Sequence, residues 1–435
     1  MKKPGDSTLY YRGYFDNEDY GTGDELWAFI PANLLPRLKN NKIAGEDQAY
    51  VDASPAISDV EVGGTWKTVL LAAEGNGGDT VFCLDITNPT APTFMWEFAD
   101  PDLFRSRSSP AVAAIGRTVV NNEKKWVAFF VSGKTYDNTL YPSIYMIDIG
   151  TGAVLKRIFL DSPSDGVGGV PSGQPAVVDS DGNGFIDRIY IGTDKGYLYK
   201  VIIPDDPKAS SSYGITHCVI NTDYTDDHGY TIPSDQRNHP IYASPAVVVA
   251  NGINDKGEIQ YNIKILYGTG DSPYFDEDID TANTTYHFFA YRDSAEKGKC
   301  TSNDATLDWV YELPAGERVF ASAFAAAGQV YFGTATSETE DPCEGAGSAS
   351  ANQGKLYVMS LEPGSGTIAP ITTVNTGNVL AAPVVDDEHL YVKGVGTGLL
   401  TTPGPYNNQV TLYGIPASAM KYWREVFDKD EKIVN

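Results

Sequence analysis

The hydrophobic positions of this chain fall into short runs, divided by glycine, proline and polar turn residues, and the runs recur in a fixed order. A four-residue start appears six times, as SPAI at 54–57, SPAV at 109–112, QPAV at 174–177, SPAV at 244–247, SAFA at 322–325 and APVV at 382–385. Each start leads to a second run that tends to end in glycine: KTVLLAAEG, WVAFFVSG, RIYIGTDKG, KILYGTG, QVYFGT and LYVKGVG. A third run follows (TVFCLDI, SIYMIDI, YLYKVII, YHFFAYR, KLYVMSL, QVTLYGI), and several units close on a fourth, aromatic one (FMWEFAD, LDWVYEL, KYWREVF). Four strands per unit, repeated radially, predict an all-β fold of β-propeller type. The drift in spacing, about 55 to 80 residues, suits blade-like repeats carrying insertions. Unrelated strands in a sandwich are the competing arrangement, and the order kept in all six units argues against it.

The N-terminus follows the same grammar in part. TLYYRGYF and GDELWAFIP read as the third and fourth strands of a further unit, and ANLLPRLK (32–39) as a short helix. The sequence therefore predicts one propeller domain over 1–435, with partial-blade strands and a helix over 8–50 and six four-stranded units over 51–435. That makes a nominally seven-bladed ring with one incomplete blade.

Composition sharpens this picture. Gly 43, Pro 26 and Tyr 27 favour short strands and tight turns. A net charge of −25 argues against nucleic acid and anionic membrane surfaces and suits surroundings rich in divalent cations. No run reaches the length of a membrane span. MKKPGDSTLYY has basic residues without an apolar core behind them, so it is not a signal peptide, and Met1 reads as an introduced start or a cut point in a longer parent.

The most specific chemistry lies in DSDGNGFID (179–187). Asp179, Asp181, Asn183 and Asp187 hold positions 1, 3, 5 and 9 of a loop, and Phe185 offers its carbonyl from position 7. Ca²⁺ takes six or more oxygens, and alternate residues of a tight loop can turn them to one ion. Gly182 and Gly184 supply the permissive backbone. QPAVV leads in and RIYIGT leads out, so the loop caps a hairpin. Tyr190 at the twelfth position excludes the helix–loop–helix form of the site. The alternative is a polar turn using Asp and Asn for local backbone bonds. Three carboxylates this close favour calcium, because they repel unless neutralised.

With these residues in view, the chain resembles the C-terminal propeller domain of the PilY-type proteins of type IV pilus machinery. The resemblance rests on ELWAFIPANLLPRL (25–38), the SPA-type strand starts and the DSDGNGFID loop, and runs from about residue 8 to the C-terminus. The strand motifs alone are shared by quinoprotein-like propellers. The resemblance implies a periplasmic or surface-exposed, pilus-associated protein that acts in pilus assembly, retraction control, adhesion and twitching motility. It also implies a calcium response through Asp179, Asp181, Asn183, Asp187 and the Phe185 carbonyl, with pilins or minor pilins at the pilus tip as partners. A host or surface receptor is a further partner the resemblance suggests, although a receptor-binding role assigned to the family's large N-terminal region, which this sequence does not include, is not expected of this chain.

Other features rank lower. DEDID (276–280), with Asn283 behind it, alternates carboxylates but has no glycine to turn the chain, and reads as a solvated acidic loop rather than a second ion site. Histidines 217, 228, 239, 287 and 389 lack zinc-ligand spacing. The tryptophans at 27, 66, 96, 126, 309 and 423 read as packing between blades. Cys83 lies in an apolar run as a buried thiol, and Cys300 and Cys343, in polar stretches, are the favoured disulfide pair, which implies an oxidising compartment. No hydrolase elbow, phosphate loop or dinucleotide fingerprint occurs. A quinoprotein dehydrogenase shares the strand grammar, but its adjacent cysteines are missing here and its tryptophan pattern is incomplete. A metal-free scaffold propeller is the third reading.

Overall fold

Proline cannot donate to a strand ladder, and in the five starts that carry one the first strand begins just after it, at the third residue of the tetrapeptide; SAFA, without proline, begins its strand at the same position. The computed structural model describes residues 25–36, 50–133, 142–160, 169–204, 214–270, 284–336, 354–395 and 409–411, apart from short stretches within these spans. Their main sheets are six, antiparallel and taken in chain order, five of them four-stranded; four two-stranded pairings accompany them, among them Glu317–Arg318 with Ala335–Thr336 and Asn378–Val379 with Gly394–Val395. Sheet 1 comprises Ala56–Val62, Thr65–Ala73, Thr80–Asp85 and Thr93–Ala99; sheet 2 comprises Ala111–Val112, Val127–Val131, Ser143–Asp148 and Val154–Phe159. Sheet 3 comprises Ala176–Val178, Arg188–Gly192, Leu198–Ile202 and Thr216–Val219; sheet 4 comprises Ala246–Val249, Ile263–Gly268, His287–Asp293 and Ala305–Glu312. Sheet 5 comprises Phe324–Ala326, Gln329–Gly333, Lys355–Ser360 and Thr372–Asn375. Sheet 6 shows Val384–Val385, His389–Tyr391 and Gln409–Thr411 among the described residues. Small hairpins are inserted between the first and second strands of sheets 2 and 4 (Thr118–Val120 with Glu123–Lys125, and Gly252–Ile253 with Ile259–Gln260).

The core lies between sheets. In the second strand of sheet 2, Val127, Phe129 and Val131 face sheet 3, whereas Ala128 and Phe130 face sheet 1. Ile189 and Ile191 of sheet 3 face back to sheet 2, and Tyr190 faces sheet 4. The same period-two division places Val330 and Phe332 of sheet 5 against sheet 4, where the Phe332 and Phe288 rings stack at 3.8 Å, and Tyr331 against sheet 6. Inner strands buried on both faces explain why their runs are almost wholly apolar. Each fully buried Val, Ile or Phe contributes about 1.5–3 kcal/mol.

Two devices join neighbouring sheets. The first is the tryptophan of an outer strand. Trp96 of sheet 1 donates its Nε1–H to the carbonyl of Ile149, just past the third strand of sheet 2, at 2.7 Å. Trp309 of sheet 4 does the same to Leu361, just past the third strand of sheet 5, at 3.2 Å. Both follow a β-bulge that turns the ring out of its own ladder. The between-blade role thus holds for Trp96 and Trp309, whereas Trp66 is largely exposed and meets Trp126 edge-on.

The second device is the Gly-Thr pair that ends the second run. The N–H groups of Ile241, Val319 and Val379, each entering a new sheet, donate to the carbonyls of Thr193, Thr269 and Thr334 of the sheet before, at 2.9–3.0 Å. The β-branched side chain at each joint covers the preceding glycine, so that a Cβ on Gly192, Gly268 or Gly333 would collide with it.

The N-terminal expectations fare differently. TLYYRGYF lies outside the described residues, and Glu25–Pro31 form neither strand nor helix. That segment lies on sheet 1 by side chains instead: Trp27 donates to the Pro89 carbonyl, and Phe29 packs on Phe82 and Phe94. The predicted helix is a single 3₁₀ turn, Ala32–Leu34, among the described residues. The sixth unit's KYWREVF run also lies outside them.

Gly268→Ala forces a methyl into Val319 at the joint between sheets 4 and 5. A loss of about 1–3 kcal/mol is expected, read as a lower urea midpoint with unchanged slope. An unchanged midpoint would show that the joint tolerates filling.

Candidate functional site

Asp179–Asp187 connects the first and second strands of sheet 3, closing beyond the Val178–Arg188 pair. The turn is organised by its own first residue. Asp179 accepts from the backbone N–H of Gly182 at 2.8 Å, Asn183 at 3.1 Å and Gly184 at 2.7 Å. Gly182 and Gly184 take φ of 75° and 87°, which only glycine adopts freely. Asp181 accepts from Asn183 N–H at 3.3 Å, and the Asn183 side chain accepts from Phe185 N–H at 2.9 Å. Burial pushes the Asp179 carboxyl above its ordinary range, the three N–H bonds opposing and the Asp181 charge adding to the rise.

Asp187 stands apart from this group. It is 1% exposed and spends its carboxylate on Ser180, accepting from the backbone N–H at 3.0 Å and the hydroxyl at 2.5 Å. The structure therefore gathers Asp179, Asp181 and Asn183 around the turn and holds Asp187 at its base. Among the described residues no group of three or more His, Cys, Asp or Glu side chains converges as metal ligands do. The donor set, all oxygen and carrying three carboxylates, fits a hard cation. In this geometry the oxygens of Asp179, Asn183 and Asp187 are closed on the loop's own donors. DEDID and Asn283 lie outside the described residues.

Behind the loop is a buried ionic group that the sequence reading missed. Arg188, next to Asp187, crosses to Asp293 in the third strand of sheet 4 at 2.8 Å and donates to the Ala295 carbonyl. Lys200 reaches Asp293 at 3.1 Å and Asp304 at 3.5 Å, and the Tyr190 hydroxyl donates to Asp293 at 2.7 Å. Burial pulls the Lys200 ammonium down, and the Asp293 charge opposes it. The signal was present as Arg188 and Lys200 inside the apolar runs RIYIGT and YLYKVII. A charge at a central-strand position implies a partner on the next sheet.

The disulfide corrects an expectation. Cys300 pairs with Cys218, not with Cys343, which lies outside the described residues. Packing of sheet 4 on sheet 3 brings the Cys218 strand, Thr216–Val219, beside the connection after Asp293, with a Cα separation of 5.7 Å. Sequence spacing carries no trace of that proximity. Cys83 is a buried free thiol, as its apolar run implies.

Among the histidines, His287 is wholly buried, and burial lowers its pKa to about 4, with Glu312 opposing and His239 adding to the shift.

Five four-stranded antiparallel sheets and a sixth with three described strands, stacked face to face in chain order, define the β-propeller class. The PilY1 beta-propeller domain model matches residues 31–308, and the chain belongs to that family. It is 27% identical over 310 residues to the type IV pilus biogenesis factor PilY1 of Pseudomonas aeruginosa (strain UCBPP-PA14), covering 66% of this chain and 25% of that protein. A PilY1 homolog of Xylella fastidiosa (strain Temecula1) is 24% identical over 408 residues, covering 82% and 26%. The chain thus spans about a quarter of the length of these curated relatives. The crystal structure of the P. aeruginosa PilY1 C-terminal domain matches at a TM-score of 0.57 and 20% identity, over 81% of this chain and 77% of that one, which shows the shared fold.

Two outcomes are expected. Asp293→Ala strands two buried cations and should cost about 3–5 kcal/mol in denaturant unfolding, where a loss below 1 kcal/mol would deny the group its structural role. Folded His287 stays neutral while the unfolded ring protonates near 6.5, so stability should fall as pH drops from about 6.5 to about 4. The contribution is on the order of 3 kcal/mol, and His287→Phe should flatten that part of the profile.

Proposed function

We propose that this chain is a non-enzymatic, calcium-binding propeller module of a type IV pilus-associated protein, acting in pilus assembly and retraction control, adhesion and twitching motility. Its partners are pilins or minor pilins, and its place is outside the cytoplasm, at the periplasm or cell surface. The observation that carries the reading is the DSDGNGFID loop at a strand connection of sheet 3, within the span matched by the PilY1 propeller family. Asp179 supports it: a desolvated carboxyl beside Asp181 gains from a neighbouring cation. The Cys218–Cys300 disulfide supports an oxidising compartment.

In this reading Asp179, Asp181, Asn183, Asp187 and the Phe185 carbonyl hold the ion, which supplies the charge that the three carboxylates lack. The chain's own part is to fix the loop between two paired strands, with Asp179 setting the turn and the second strand buried on both faces. An ion bound only by the folded loop adds about 2.7 kcal/mol of stability at a hundred times its dissociation constant.

Calorimetric titration of Ca²⁺ into chelator-stripped protein should show one site per chain, weakened markedly in Asp181→Asn and lost in Asp187→Ala. Asp181→Asn is the control for folding, because Asp181 is only partly buried and lies in the turn itself. No heat in the parent protein, or equal binding by both variants, would remove calcium from the function.

A further inference from the structure

The hairpin inserted in sheet 4 is bound to sheet 3 at two points, one in the acidic loop and one at the start of the strand that follows it, and nothing in the sequence pattern anticipates either. Asn251, at the hairpin's entrance, donates from Nδ2 to the Ser180 carbonyl at 2.6 Å and accepts at Oδ1 from Asn262 N–H at 2.9 Å. A carbonyl on one side and an N–H on the other fix which way this amide points. At the hairpin's exit, the Arg188 guanidinium lies over the Tyr261 ring at 4.6 Å. Ser180 is the residue to which Asp187 gives both carboxylate oxygens, and Arg188 is the residue after Asp187. Two of the connections from Asp187, through Ser180 and through Arg188, therefore lead to the hairpin's base, while its backbone pairs with Val178 and Ile203 within sheet 3.

The hairpin itself is short and polar at its turn. Gly252 pairs with Gln260 and Ile253 with Ile259, and the Asn254 side chain closes the tip by accepting from Lys256 and Glu258 N–H. Its two isoleucines form a cross-strand pair in the open, Ile253 at 76% and Ile259 at 41% exposure. No second layer covers them among the described residues, so the orientation of the hairpin depends on its base. A two-stranded ribbon of this size has little stability of its own.

We propose that the hairpin over residues 251–262 is the element through which the acidic loop acts: an ion held by the loop fixes Ser180 and Arg188, and these lock the hairpin's base and the orientation of its apolar tip. The inference rests on the calcium reading above. It requires a differential effect, since a ligand shifts an element only if it favours one of its states. Ser180 supplies that effect, because any change in how Asp187 engages it alters the carbonyl that Asn251 holds.

Hydrogen–deuterium exchange on the whole chain, with and without Ca²⁺, tests this directly. Exchange over 251–262 should slow about fivefold or more on adding the metal, while Thr93–Ala99 in sheet 1 is unchanged. Asn251→Asp keeps the acceptor for Asn262 and loses the donor to Ser180. It should still take up one Ca²⁺ by calorimetry, with affinity lowered by the same factor, and should lose the slowing. Calcium uptake without slowing in the parent chain, or full slowing in Asn251→Asp, overturns this inference alone. Absence of calcium uptake overturns it together with the function it rests on.

Discussion

At three of the five joints, a hydrogen bond from the segment leading into a sheet to the Gly-Thr end of the previous sheet sets the spacing and angle on which the other contacts depend. At Ile241, Val319 and Val379 one residue does two jobs: its N–H satisfies a threonine carbonyl and its branched side chain covers a glycine. The bond fixes the backbones, and the glycine lets them approach closely enough for the apolar faces to meet. At that separation the rings of Phe288, Phe332 and Tyr357 stack in series. The joint between sheets 2 and 3 departs from the rule for a chemical reason. Pro171 stands where an N–H would be needed and Val131 where the glycine would be, and that interface is filled by apolar side chains, mostly aliphatic, with Phe129 and Tyr199 among them.

Against this background the sheet 3–sheet 4 junction is the most heavily tied. It has the Gly192–Ile241 joint, the Arg188–Asp293–Lys200–Asp304 group and the Cys218–Cys300 disulfide. Cys300 sits beside the Lys200 carbonyl, so the covalent and ionic ties occupy one region. Buried ion pairs add little net stability compared with apolar packing, because desolvation offsets their attraction. Their geometric demands are strict, however, and they hold sheet 4 in one register against sheet 3.

Much of the fold was legible in the sequence, because strands buried on both faces leave a strong mark: apolar runs, proline before the first strand, glycine after the second. The starts from SPAI to APVV located every first strand. Sheet-to-sheet relations were less legible. Cys218 looked like any strand residue, and only the packing of sheet 4 reveals its partner. GDELWAFIP read as a strand because its residues are apolar and aromatic, yet Trp27 and Phe29 use that character to pack on sheet 1. The acidic loop was legible as a motif, since its glycines and alternating oxygens are local. The division between an upper group, Asp179 to Asn183, and a buried Asp187 was not, because it arises from Ser180 and the strand beneath.

That division explains why such a loop is useful on this fold. An acidic turn on a free hairpin would respond to a cation by local ordering alone. Here its last acidic residue is buried, and the next residue crosses to the neighbouring sheet, so the turn and the junction are mechanically continuous. The junction is too strongly tied to shift as a whole. The proposed response to charge in the loop would therefore be taken up by the least supported element attached to it. The short inserted hairpin of sheet 4 has little core of its own and hangs from Asn251 and Tyr261, which makes it the least supported element attached to the loop.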